Sequence, residues 1–120
     1  ANRVALFKLR YSVFEATQRF LDKFLNGGTI NFDERDRAFV SAQTQAKFLF
    51  GTDVQEALEE IWQKASALDG VRVKMNDDMQ NSQNYDQKDT AEKRELVDWI
   101  ITRGRSLSEL FQAIGVAGNS

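Results

Sequence analysis

The stretch LFKLRYSVFEATQRFLDKF, residues 6–24, decides the fold. Leu6, Leu9, Val13, Ala16, Phe20 and Phe24 recur at three, four or seven residues. A second row, Phe7, Tyr11, Phe14, Leu21 and Leu25, runs beside the first. That spacing belongs to a helix with a wide apolar stripe, not to a strand, whose side chains alternate every second residue. Asn26-Gly27-Gly28 supplies residues that tolerate a left-handed backbone and stop the helix. The first helix is therefore expected over residues 2–25.

The same periodicity recurs downstream. Asn31 with Glu34 three residues on reads as a capping box that opens a second helix over 32–50. Phe39, Ala42, Ala46, Leu49 and Phe50 form its stripe. Gly51 ends it, and Thr52 with Gln55 repeats the box for a third helix over 53–75. There Val54, Leu58, Ile61, Ala65 and Leu68 share a face, with Trp62 alongside. Phe48, Leu49 and Phe50 cannot all face one way, so this corner is expected to be buried on more than one side, and Phe50→Ala to cost several kcal/mol. Residues 76–88, NDDMQNSQNYDQK, are polar and aperiodic and read as a long loop. A fourth helix over 90–111 carries Leu96, Val97, Ile100, Leu107, Phe111 and Ile114, with Gly104 as a point of kink or early stop, and residues 116–120 read as a fraying tail. The expectation is an all-α, single-domain, antiparallel four-helix bundle over residues 1–120.

Composition bounds the chemistry. The 120 residues include no His, no Cys and no Pro. Without His and Cys the common neutral-pH base, the thiolate nucleophile and the favoured transition-metal ligands are all missing. Without Pro, helices run uninterrupted. A net charge of −2 argues against general affinity for nucleic acid, and neither Arg3, Lys8 and Arg10 nor Arg103 and Arg105 form a dense basic patch. No cofactor is expected.

One carboxylate pattern has chemical content. Glu56 and Glu59 lie one turn apart on the third helix, and Glu95 and Asp98 repeat that spacing on the fourth. Oxygen ligands suffice for Mg²⁺, so these four could serve an Mg²⁺-dependent phosphohydrolase acting on nucleotides. The pattern is somewhat like that of the all-α nucleoside-triphosphate pyrophosphohydrolases. Gln63, however, stands where a further acid belongs, and the long loop separates the pairs.

The preferred expectation is a non-enzymatic interaction module. The first helix carries more large apolar residues than one packed seam requires, which points to a partner surface at Phe7, Tyr11 and Phe14 for a partner helix or an apolar ligand. Residues 1–30 hold five bases and two acids. Arg3, Lys8 and Arg10 form a basic flank of the kind found on the cytoplasmic side of a membrane segment.

These residues also resemble a family of small, uncharacterised bacterial proteins. In these, a "KLYxKRxxVYxAxxxFL" helix follows a short N-terminal membrane-anchoring segment. Lys8, Leu9, Arg10, Val13, Glu15, Ala16, Phe20 and Leu21 fall on that pattern. Phe39 followed by Ala46-Lys47-Phe48-Leu49-Phe50-Gly51 is similar to its "AxFLFG" run, and Trp99 within Leu96–Ile100 to its "KWF" helix. The resemblance implies a helical soluble domain, cytoplasmic and tethered to the inner membrane through a segment not contained in this chain. It implies no catalytic activity and identifies no protein partner.

Overall fold

A computed structural model describes residues 2–80 and 87–113, with side chains described from Val4 onward. Four helices follow in order: α1 (Asn2–Leu25), α2 (Glu34–Leu49), α3 (Thr52–Gln80) and α4 (Gln87–Ala113). Among the described residues no strand is present. Each helix packs antiparallel to its neighbours. Arg10 reaches the Leu49 carbonyl between α1 and α2, Phe14 meets Phe111 between α1 and α4, and Lys74 meets Asp89 between α3 and α4. The result is an up-down-up-down bundle of 60 × 24 × 23 Å, with α1 and α3 on one diagonal.

The expected stripes meet in one core. Val13, Phe20 and Phe24 of α1 pack with Phe39 of α2, Leu58, Ile61 and Leu68 of α3, and Ile100 and Phe111 of α4. Phe20 is the hub. Its ring stacks on Phe39 at 4.3 Å, lies 5.6 Å from Phe24, and tilts against Trp62 at 5.7 Å. Thr17, the one buried polar residue on this face of α1, donates its hydroxyl to the Val13 carbonyl at 2.8 Å. The side chain is thereby satisfied inside the helix.

Four local expectations need correction. The cap of α2 is Asp33, not Asn31: its carboxylate accepts from the Asp36 N–H, and the helix begins at Glu34. Thr52 is the first residue of α3, not its cap; the Gln55 N–H bonds the Gly51 carbonyl instead. α3 passes residue 75, its expected end, and continues to Gln80, because Val71 and Met75 prolong its buried stripe while Gly70, inside the helix, faces solvent. A single exposed Gly costs only about 1 kcal/mol, which that burial outweighs. The expected loop 76–88 therefore belongs mostly to helix, with 76–80 in α3 and 87–88 in α4. Residues 81–86 of that loop, Ile114 and the expected tail at 116–120 lie outside the described residues.

Gly104 neither kinks nor ends α4. It lies at a close approach to α1: a Cβ there would come within 3.1 Å of the Leu21 side chain. The corner between α2 and α3 forms as expected at Gly51, whose φ of +101° suits glycine. The neighbouring aromatics do not all bury. Phe48 is 81% exposed, while Leu49 and Phe50 are half-buried. Only the inner side of α2 faces the bundle, so Phe48 points away from it. Phe50 keeps an edge-to-face contact with Phe111 at 5.2 Å. Phe50→Ala is accordingly expected to cost about 2 kcal/mol, below the value for a fully buried Phe. Urea denaturation measures it, and a loss above about 4 kcal/mol would contradict the half-buried placement.

Candidate functional site

The first two turns of α1 keep the apolar pattern beyond the end of α2 and of the described part of α4. The end of α2 lies at the level of Arg10, and Phe111 near the described end of α4 lies at the level of Phe14. Val4, Leu6, Phe7, Leu9 and Tyr11 are consequently exposed, between 39% and 62%. Helix α1 thus presents a convex apolar end, not a groove.

Phe7, Tyr11 and Phe14 form a continuous ladder, with ring centroids 6.2 Å apart from Phe7 to Tyr11 and 5.9 Å from Tyr11 to Phe14. Phe14 is half-buried and sits edge-to-face on Phe111 at 5.3 Å. The three residues expected to bind a partner therefore differ in role: Phe7 and Tyr11 are presented outward, and Phe14 ties them to the core. Because Phe111 is fully buried, the ladder stands on a rigid base.

Of the basic flank, Lys8 is exposed. Arg10 is partly committed: its Nε donates to the Leu49 carbonyl at 2.9 Å, and its guanidinium lies 5.4 Å from the Phe50 ring centre. It serves as a cap for the C-terminus of α2, a position that favours cations. The side chain of Arg3 lies outside the described residues. Arg103 and Arg105 sit on α4, Arg103 half-buried and 3.9 Å from Glu60.

The carboxylates of the phosphohydrolase reading do not come together. Glu56, Glu59, Glu95 and Asp98 are all exposed. The register set by Glu60 against Arg103 and by Lys64 against Trp99 places residues 95–98 opposite residues 65–68. They stand about nine residues, or about 13 Å of helix axis, beyond Glu56–Glu59. Among the described residues no three acidic side chains gather as a metal ion requires.

The densest polar cluster escaped the sequence reading. Lys23 Nζ donates to Asn31 Oδ1 at 2.9 Å, Asp33 Oδ2 at 2.9 Å and Asp36 Oδ1 at 3.0 Å. The other Asp36 oxygen accepts the N–H groups of Asn31 at 2.8 Å and Phe32 at 2.9 Å. Phe32, at φ +54°, is held in the left-handed region within this network. Nearby, Arg72 Nη1 donates to the carbonyls of Phe24 and Gly28 and closes the C-terminus of α1. All three Lys23 protons are used within the loop, so the cluster fastens the α1–α2 connection and offers no open position for a substrate. Its signal in the sequence is the run of acids Asp33, Glu34 and Asp36 at the start of α2.

Among the described residues no helix is long and apolar enough to cross a membrane. Set against protein-family models, curated proteins and solved structures, the chain matches none of them.

Proposed function

We propose that this chain is a non-enzymatic helical interaction module that docks through the exposed N-terminal end of α1. We further propose that it is the cytoplasmic domain of a membrane-tethered bacterial protein. One observation supports the docking role above all. The Phe7–Tyr11 ladder is exposed at its outer end and anchored through Phe14 to buried Phe111. Contiguous exposed apolar surface of this kind marks interaction sites in soluble proteins. Helix α1 extends past the end of α2 and the described part of α4, so Phe7 and Leu9 keep about half of their surface exposed. The tether rests on the basic flank and the family resemblance.

The test is site-specific photocrosslinking in cells. A photoreactive benzoylphenylalanine is placed at Phe7, at Tyr11 or, as a control on the outer face of α2, at Thr44. Adducts of defined mass from positions 7 and 11, with none above background from 44, are the expected outcome. Equal background yields at all three positions would remove a protein as the occupant of this surface.

A further inference from the structure

We infer that the partner of this end of α1 is the surface of an anionic lipid bilayer, an inference that rests on reading the end as a docking surface. Two independent features carry it, the charge and the shape of the apolar surface.

Charge comes first. Residues 1–14 contain Arg3, Lys8 and Arg10 and no acid before Glu15. The end of α2, fixed beside α1 by the bond from Arg10 to Leu49, adds the exposed Lys47 next to Phe48. The acids nearest this level are Glu15 on α1 itself, Glu109 on α4, and Asp53 and Glu56 on α3 across the bundle diagonal; none lies within the first 14 residues. The face around α1 is therefore basic although the whole chain is acidic. An anionic leaflet attracts such a face, with each Lys or Arg near the surface contributing about a fivefold gain in binding.

The apolar surface has the second property. At 100° per residue, Val4, Leu6, Phe7, Leu9 and Tyr11 spread over about 220° of the α1 circumference. The apolar stripe that a helix lays against one protein neighbour is narrower, from about 100°. A bilayer boundary can surround a helix end and cover such a spread. From Val4 to Tyr11 the helix rises about 10 Å, about a third of the hydrocarbon thickness, so this end can enter a bilayer boundary without spanning it. Phe48, the most exposed large apolar side chain of the described residues, lies at the same end and gives the membrane a second point of contact. Tyr11 suits the boundary, since its ring prefers the apolar side and its hydroxyl the wet side. Lys8 and Lys47 can extend their alkyl stems and keep their ammonium groups at the phosphates.

The full chain is sedimented with large vesicles of phosphatidylcholine alone, or with about 30 mol % phosphatidylglycerol. The expected result is co-sedimentation with the anionic vesicles, weak binding to the neutral ones, and loss of most binding at about 0.5 M salt. Lys8→Glu should weaken anionic-vesicle binding about tenfold or more. The pair Phe7→Ser and Tyr11→Ser should weaken it at least as much, with an unchanged circular-dichroism melt that reports an intact bundle. Val40→Ser, an exposed apolar change on α2, should bind as the parent does. Protein left in the supernatant with anionic vesicles at low salt overturns the inference, as does undiminished binding by the Phe7, Tyr11 pair. A protein adduct from position 7 in cells without vesicle binding overturns the lipid assignment and leaves the docking surface standing. Absence of both adducts and vesicle binding overturns the two together.

Discussion

Replacing Phe20 by alanine is expected to lower the free energy of unfolding by about 4 kcal/mol, measured by urea denaturation. Phe20 is fully buried and touches aromatic rings from α1, α2 and α3. Truncation removes its transfer free energy and leaves a cavity among Phe24, Phe39 and Trp62 that rigid rings fill poorly. Aromatic pairing adds about 0.5–1.5 kcal/mol beyond the buried area, and the near-parallel stack on Phe39 is lost outright. Phe20→Leu keeps most of the volume and should cost about 1–2 kcal/mol. A loss below about 1 kcal/mol for Phe20→Ala would mean that the core is centred elsewhere.

The second large effect is expected at Asp36, whose replacement by alanine should cost about 3–5 kcal/mol. The side chain is fully buried and accepts three hydrogen bonds, two from backbone N–H groups and one from Lys23. Alanine leaves the Asn31 and Phe32 amides without acceptors in a tight loop and removes one carboxylate beside a largely buried ammonium. A double-mutant cycle with Lys23→Met separates these contributions. Removing both partners should cost less than the sum, because the ammonium then has no unpaired state. A strictly additive pair would show that Lys23 and Asp36 do not act together.

The same cluster sets a pH dependence whose sign follows from the two shifted groups. The Asp33 carboxyl is held below its ordinary 3.8, first by the Asp36 N–H it caps and then by Lys23. Its contribution is therefore present above pH 3.8 and is lost as pH falls through the lowered folded value. Burial opposes the charge on Lys23, but its bonds to Asp33 and Asp36 outweigh that effect and raise it above 10.5. Its contribution is full below pH 10.5 and is lost as pH climbs through the raised value. The urea midpoint should be level between these limits and fall outside them. Asp33→Asn should flatten the acid limb, and an unchanged acid limb would contradict the cap.

The stripes of α3 were legible residue by residue. Val54, Leu58, Ile61, Ala65 and Leu68 are all buried, as their spacing required. The place of the α2 cap was not. Asn31 and Asp33 both have the chemistry of a cap, and the choice fell to Asp33 because Asp36 draws the Asn31 and Phe32 amides into its own carboxylate. The length of α3 was also hidden, since residues 76–80 carry no period of their own and remain helical as the continuation of a helix buried at Met75. Helix propagation adds one bond for each residue fixed and needs no new nucleus.

Phe7 and Phe14 show the remaining division. They belong to one row of one helix, and nothing local distinguishes them. Phe14 is half-buried because Phe111 lies against it, and Phe7 is exposed because α2 and the described part of α4 stop short of its level. Sequence alone determines which residues share a helical face, because the 3.6-residue period is a property of neighbours along the chain. How much of that face is covered depends on the lengths and register of other helices. Those are long-range quantities, so only the assembled bundle decides that the first turns of the α1 apolar stripe point outward.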